Sequence, residues 1–105
     1  METPNLNYIN ELAGEDVAFK ARLITILKKE LPSEITEYNS KIQISEFVEA
    51  AGLVHKIKHK ISILGMEKSY YIAEKFEDNL KNKSADLRSE FEEILIVMQN
   101  FIAAL

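Results

Sequence analysis

A chain of 105 residues is long enough for one domain with a single hydrophobic core and too short for two. Hydrophobic residues make up 47% of it, which argues against disorder, and three glycines and two prolines are too few turn formers for a β-sandwich or barrel. Without cysteine the chain has no disulfide or thiolate metal site, and its net charge of −4 disfavours nucleic-acid binding by the chain as a whole.

Membrane segments are not expected. No apolar run approaches the roughly 20 residues that a membrane-spanning helix needs. The first five residues are polar, with neither a basic start nor an apolar core, so we expect no secretory signal there. The sequence therefore predicts one domain over residues 1–105 that contacts neither a membrane nor nucleic acid.

The first predicted helix is short. Thr3 is a suitable N-cap and Pro4 suits the first helical position, so this helix should begin there and end at Gly14. Glu15 and Asp16 then place negative charge where the dipole of a second helix favours it. The chain should therefore open with a short helix and turn directly into a longer one.

The second helix is predicted from one apolar stripe. Pro32 lies inside the stripe and removes one backbone hydrogen bond. Because the stripe keeps its helical phase across the proline, we predict one kinked helix rather than two. The stripe consists of Ile24, Leu27, Leu31, Ile35, Tyr38 and Ile42.

The third helix carries the most regular seam and both histidines of the chain. Ser45 is a candidate N-cap, and Gly65 suits the left-handed position that follows a helix end. The seam between them predicts which face of the helix is buried. It consists of Phe47, Ala50, Val54, Ile57, Ile61 and Leu64.

Two further helices complete the prediction. The fourth covers about 66–82 with Ala73, Phe76 and Leu80 directed inward, and Ser84 is a candidate cap for the fifth. Long helices joined by short loops predict an all-α fold, an antiparallel four-helix bundle with a short extra N-terminal helix. The seam of the fifth helix consists of Leu87, Phe91, Ile94, Met98, Phe101 and Leu105.

The opposite face of the third helix is polar and basic. At about 100° per residue, His55 and His59 both point away from the apolar seam and should face solvent. Lys56, Lys58 and Lys60 lie among them and form a basic patch in an acidic chain, suited to steering an acidic partner. A neutral imidazole is a good nucleophile, and Lys58, one turn after His55, suits the charge of a phosphoryl group.

These residues carry a family resemblance. His55 is followed by an apolar residue at Ile57, a lysine at Lys58 and a glycine at Gly65. This pattern, in the middle of a helix on the outer face of a predicted bundle, resembles the signature of histidine phosphotransfer (HPt) domains of two-component phosphorelays. The resemblance extends to the predicted architecture over nearly the whole chain.

The resemblance implies a signal-transduction role with a phosphohistidine intermediate. His55 would accept a phosphoryl group from a receiver-domain aspartyl phosphate and pass it to another receiver's aspartate, with Lys58 contacting the phosphoryl group. The implied partners are response-regulator receiver domains and a hybrid sensor histidine kinase. The receiver would supply Mg²⁺, so the chain would need no cofactor or metal of its own. It would be a cytoplasmic monomer without autonomous kinase activity.

The surface around His55 is the expected partner-binding site. Its candidate residues are Gly52, Lys56, His59, Lys60, Ser62 and Met66. Tyr70 and Tyr71 are candidates for an apolar extension of this surface, with core packing expected for one of them. One position departs from the family, because His59 stands where the family usually has a glycine that leaves room for the receiver. That imidazole has five possible roles: narrower access, partner selection, contact with the phosphoryl group, acceptance of the phosphoryl group itself, or simple tolerance.

Two rival interpretations remain. A metal ion bound by His55 and His59 fits their spacing, but the neighbouring lysines repel a cation, and the Glu-x-x-His pattern of di-iron bundles is absent. A noncatalytic interaction module of the same fold, which docks a receiver or kinase without transferring phosphate, is the second. The substitution at His59 is the feature that favours it.

Overall fold

The computed structural model describes residues 2–105, so Met1 of the polar N-terminus lies outside the described residues. Five helices make up the structure, and residues 2–105 contain no strand, which confirms the all-α class. The helices are α1 (Asn7–Ala13), α2 (Val17–Gln43), α3 (Phe47–Ile63), α4 (Glu67–Lys81) and α5 (Arg88–Ala103).

The helices pack against one another side by side. α3 packs against α2 and α4, α5 packs against α4 and α2, and α1 packs against α2. The 27 residues of α2 give a length of roughly 40 Å, which accounts for the longest dimension of 45 Å in a molecule of 45 × 23 × 19 Å. A single apolar core therefore lies between the long helices, with α3 bordered by two of them.

The predicted seams explain most of this core. α2 remains helical through Pro32, and the last five residues of its predicted stripe are buried, which confirms one helix rather than two. In α3, all seam residues after Phe47 are buried, as are Ala51 and Leu53. The additional burial follows from the position of α3, since a helix with a neighbour on each side buries more than one stripe.

The seam of α5 follows the prediction only in its first half. Phe91, Ile94 and Met98 are buried, but in the last turn Ile102 is buried while Phe101 is half-buried, and Leu105 lies beyond the end of α5 and is 38% exposed. A straight α-helix drifts by about 20° per heptad relative to a 3.5-residue repeat. The buried face therefore rotates toward Ile102 in the last turns, away from the residue that strict spacing selects.

Three predicted helix starts are wrong. α1 begins at Asn7 rather than near Thr3, and the Asn5 side chain accepts a hydrogen bond from the Asn7 N–H at 3.0 Å. Ser45 does not cap α3; it terminates α2 in the left-handed region, with φ of 58°. Ser84 does not cap α5, which begins after Leu87; the Ser84 side chain instead accepts a hydrogen bond from the Asp86 N–H at 3.2 Å, and its own N–H donates to the Asn79 carbonyl at the end of α4. In contrast, Asp16 caps α2.

Gly65 ends α3 as predicted. Its φ is 74°, its N–H donates to the Ser62 carbonyl at 3.0 Å, and the Met66 N–H donates to the Ile61 carbonyl at 3.2 Å. This pair of hydrogen bonds is the Schellman motif, which favours glycine at the left-handed residue. A Cβ added at Gly65 would lie 2.7 Å from the Asn5 side chain, so both conformation and space require glycine here.

Alanine is therefore expected to have opposite effects at two glycines. Gly65→Ala should lower the free energy of unfolding by about 1–2 kcal/mol, because left-handed φ is costly for an L-residue and Asn5 must move. Gly52→Ala should raise it by about 1 kcal/mol, because Gly52 is helical and an added Cβ meets nothing within 4 Å. Urea denaturation followed by circular dichroism measures both. A Gly52→Ala variant that is less stable than wild type would contradict the finding that a Cβ at Gly52 meets open space.

Candidate functional site

One exposed stripe of α3 carries both histidines. Gly52, His55, His59 and Ser62 are spaced 3, 4 and 3 residues apart, and all four are exposed. They occupy the face opposite the buried seam, so the predicted orientation of the two histidines is confirmed. We call these four residues the histidine stripe. The His55 side chain retains 52% of its accessible surface and is available to a partner.

A buried carboxylate from the neighbouring helix holds the His55 ring. Glu77 of α4 has a side chain that is 6% exposed, and each of its oxygens lies 3.2 Å from His55 Nδ1. An ionised carboxylate only accepts hydrogen bonds, so Nδ1 is the nitrogen that carries the hydrogen. In the neutral ring, the lone pair is therefore on Nε2, the nitrogen on the far side from Glu77.

Two ammonium groups hold Glu77 in its charged form. Lys81 Nζ lies 2.9 Å from Oε2 and Lys58 Nζ lies 3.1 Å from Oε1. Burial acts to raise the pKa of Glu77, but the hydrogen bonds from Lys81, Lys58 and His55 outweigh it, and the pKa lies below its ordinary value. Glu77 is thus a fixed negative charge at neutral pH, and it orients the imidazole.

Lys58 is buried beside Glu77. Its side chain is 10% exposed, and its ammonium group also lies over the Tyr70 ring, 5.5 Å from the centroid. Lys58 is thereby on the Nδ1 side of His55, joined to the imidazole through Glu77. The contact between Lys58 and a phosphoryl group stays a prediction, and it requires the ammonium group to extend past Glu77.

The expected basic patch is smaller than the three lysines indicated. Lys56 is exposed, but Lys60 is buried and pairs with Glu30 and Glu34 of α2, each at 3.1 Å. Lys58 and Lys60 are buried because α3 is flanked by α4 on one side and α2 on the other. Lys56 alone among the three therefore presents a charge to solvent beside His55.

Beyond His59 the surface has an aromatic depression. Its volume is about 330 Å³, and its lining includes Ser62, Tyr70 and Tyr71. Tyr71 is exposed and Tyr70 is half-buried, so the pair divides between surface and interior. Met66 was expected on this surface, but it is fully buried because it joins the core at the start of α4. It is not part of the exposed surface in the free protein.

The two histidines contact each other. His59 Nε2 lies 3.3 Å from His55 Nε2, with the rings nearly perpendicular at 89°. The nitrogen of His55 that carries the lone pair is thus in contact with the side chain of His59. In the free protein this contact lies on the side of the His55 ring that faces away from Glu77.

Sequence reasoning missed Glu77. A signal was present, because Glu77 lies four residues after Ala73 and three before Leu80, both inward-facing. A carboxylate in phase with an apolar stripe is buried only when it is paired. A carboxylate in the apolar stripe of α4 needs a cationic partner, and α3 carries several lysines. Together these two features indicate a charged contact between α3 and α4.

Residues 2–105 contain neither a cluster of metal-ligating side chains nor a helix that could span a membrane. No group of three or more His, Cys, Asp and Glu side chains among these residues is arranged to hold a metal ion. Of the helices described, none combines the length and the apolar character that crossing a bilayer demands.

The fold and site define a class by their geometry: a helical protein that presents an exposed histidine oriented by a buried carboxylate. Comparison of the chain with protein-family models, with curated proteins and with solved structures finds no match in any of the three. A function must therefore be argued from the geometry of the site and from the resemblance of its motif.

Proposed function

We propose that this chain is a phosphorelay intermediate of the histidine phosphotransfer type. His55 accepts a phosphoryl group from a receiver-domain aspartyl phosphate and passes it to the aspartate of another receiver. The observation that carries the proposal is the His55–Glu77 pair, in which an exposed imidazole has its Nδ1 held 3.2 Å from a buried carboxylate. In the same proposal, α2–α5 form an antiparallel four-helix bundle and α1 is the short extra helix.

The chemistry is a transfer between two nucleophiles. The Nε2 lone pair of His55 attacks phosphorus, a P–N bond forms, and the bond to the aspartate oxygen breaks, with the electron pair leaving on the carboxylate. Since Nδ1 keeps its hydrogen, the phosphorylated ring is cationic, and no proton has to leave during the transfer. The fixed negative charge of Glu77 stabilises that ring, much as a triad carboxylate stabilises an imidazolium. The reverse step returns the phosphoryl group to a second aspartate.

The helices contribute mainly position. A nucleophile fixed on a rigid helix, in a ring of fixed tautomer, is held ready for a partner that supplies the remaining catalytic groups. The receiver brings its acidic pocket and Mg²⁺, so the chain needs no cofactor of its own. Lys56 and Lys81 lie exposed near the imidazole and suit that acidic partner, with Lys58 as the candidate phosphoryl contact.

The docking surface in this proposal centres on the histidine stripe. Gly52 and Ser62 lie on either side of the two histidines along the helix axis, and the depression lined by Tyr70 and Tyr71 continues the surface past Ser62. The partners would be response-regulator receiver domains and a hybrid sensor histidine kinase. The chain would act as a cytoplasmic monomer without autonomous kinase activity.

The direct test is phosphoryl transfer from a receiver. The full chain is incubated with Mg²⁺ and a receiver domain that carries ³²P on its aspartate, and the proteins are then separated. We expect label on this chain that is labile in acid and stable in base, as for a phosphoramidate and unlike an acyl phosphate. A panel of phosphorylated receivers that binds the chain yet transfers no label would overturn the proposal.

One observation favours a second candidate, the noncatalytic interaction module. The reactive nitrogen of His55 is already engaged by His59 at 3.3 Å, which suits a docking protein whose histidine does not react. The same experiment separates the two functions. Saturable binding of a receiver without transfer of label indicates the docking module, whereas transfer of label excludes it.

A further inference from the structure

The donor in the contact between the histidines can be assigned. Glu77 fixes the hydrogen of His55 on Nδ1, so the Nε2 of neutral His55 has a lone pair and no hydrogen. With both rings neutral, a hydrogen bond between the two Nε2 atoms therefore requires His59 to donate its Nε2–H to His55. The lone pair that would attack phosphorus is thus the acceptor of this hydrogen bond.

We propose that His59 controls access to the reactive nitrogen of His55. In the free protein it holds the Nε2 lone pair in a hydrogen bond, and it must turn away before that nitrogen meets an electrophile. This role is one of positioning rather than of group transfer. It rests on the proposed function only for the identity of the electrophile, since the hydrogen bond belongs to the free protein.

The arrangement makes this control local. His59 is one helical turn after His55 on an exposed face, and the rings meet edge to face with centroids 4.8 Å apart. Rotation of the His59 side chain alone breaks the contact, without movement of α3 or of Glu77. Glu77 continues to hold Nδ1 when His59 leaves, so the ring of His55 stays oriented while its lone pair becomes free.

The expected change in the reactivity of His55 is modest because both histidines are exposed to water. Water replaces the lost hydrogen bond when His59 turns, so its net contribution is that of an ordinary hydrogen bond between neutral groups. Removing it should raise the reactivity of His55 Nε2 by about 2- to 10-fold. A partner that draws His59 away on docking would obtain the same increase, which would make the site more reactive in the complex than in solution.

The test uses a small electrophile and needs no partner protein. Diethyl pyrocarbonate carbethoxylates imidazole: a N–C bond forms at the free nitrogen, the ring loses its other hydrogen, and carbon dioxide and ethanol are released. Rates at His55 are measured by peptide mass spectrometry at a pH high enough to keep both imidazoles neutral. The proteins are wild type, His59→Ala, His59→Phe and, as a matched surface control on α5, Glu93→Gln.

We expect His55 to react about 2- to 10-fold faster in both His59 variants and at the wild-type rate in Glu93→Gln. Phenylalanine retains the planar bulk of histidine and lacks the donor. A slow His59→Phe with a fast His59→Ala would therefore show that bulk, not the hydrogen bond, shields the nitrogen, and would overturn the inference. Equal rates in all four proteins would overturn it as well.

The outcome is separable from that of the proposed function. Faster carbethoxylation in the His59 variants, with no label taken from any receiver, would support the role of His59 and refute phosphotransfer. Label on wild-type protein, with unchanged carbethoxylation rates, would do the reverse.

Discussion

Replacing His55 by alanine is expected to abolish phosphoryl transfer to this chain, lowering the label to background. The reason is chemical, because the side chain that we propose as the nucleophile toward phosphorus is gone and alanine offers none. The structure of the variant should persist, since His55 is exposed and alanine is the best helix former. Its circular dichroism spectrum should match wild type, and its loss of label should therefore be a loss of chemistry.

His59→Ala is the matched variant, one turn along the same exposed stripe, and it is expected to keep its label. The chain has two histidines, so acid-labile, base-stable label that disappears in one of the two variants is assigned to the histidine replaced in that variant. His55 is the expected acceptor because its Nδ1 is held by Glu77, whereas His59 has its one hydrogen bond within residues 2–105 with His55. Label that survives in His55→Ala and disappears in His59→Ala would transfer the acceptor role to His59.

Local sequence chemistry was sufficient for part of this site. The apolar seam of α3 fixes a direction, and counting from it places His55 and His59 on the exposed face without knowledge of any other helix. The end of α3 could also be predicted from local sequence, because the hydrogen bonds that favour glycine at Gly65 lie within six residues. The same kind of reasoning found the core of α2 across Pro32, because the phase of an apolar stripe is a property of one segment.

The rest of the site depends on which helices are neighbours. Lys58 and Lys60 differ by two residues, yet they are buried against different helices, one on Glu77 of α4 and the other on Glu30 and Glu34 of α2. The helical pattern of α3 alone shows that both lysines flank the apolar seam. It does not show that each lysine lies beside a carboxylate of a neighbouring helix. Which charges pair depends on the tertiary structure. Because Lys58 and Lys60 are buried in ion pairs, only Lys56 of the expected basic patch is exposed.

The helix starts expected at Ser45 and Ser84 were predicted wrongly for a related reason. Ser45 is a residue type that favours N-caps, but here it has a φ of 58° at the end of α2. There the N–H of Glu46 donates a hydrogen bond to the carbonyl of Lys41. A serine tolerates either role, and the choice depends on how the two helices meet. At the next such junction Lys83, with φ of 61°, takes the left-handed conformation after α4, and α5 begins only after Leu87.

Removing the Glu77 carboxylate is expected to damage stability and reactivity together. Glu77→Ala leaves the buried Lys58 ammonium group without its partner, which should lower the free energy of unfolding by about 2–3 kcal/mol. It also frees the His55 ring and removes the charge that stabilises the phosphorylated imidazole in the proposed mechanism, so transfer should slow by about 10- to 100-fold. Urea denaturation and the initial rate of labelling measure the two effects.

The two effects can be separated by a second substitution. Adding Lys58→Met to Glu77→Leu removes the stranded charge and fills the space with apolar side chains, so stability should return toward wild type. Transfer should remain slow, because the double variant has no carboxylate on Nδ1 and also lacks the Lys58 ammonium group that is the candidate phosphoryl contact. If the stabilised double variant transferred label at the wild-type rate, Glu77 would serve only to pair with Lys58 and Lys81 and would have no role in positioning His55.

Acid provides an independent measure of the same contact. The pKa of Glu77 in the folded protein lies below its ordinary value of 4.5, so its contribution to stability is complete above that value and is lost as the pH falls through the lower, folded-state pKa. The difference in stability between wild type and Glu77→Gln should therefore be largest near neutral pH and shrink below pH 4.5. Urea denaturation of both proteins across this range measures the difference. A constant difference would mean that the ionised carboxylate contributes nothing to the hold on Lys58, Lys81 and His55.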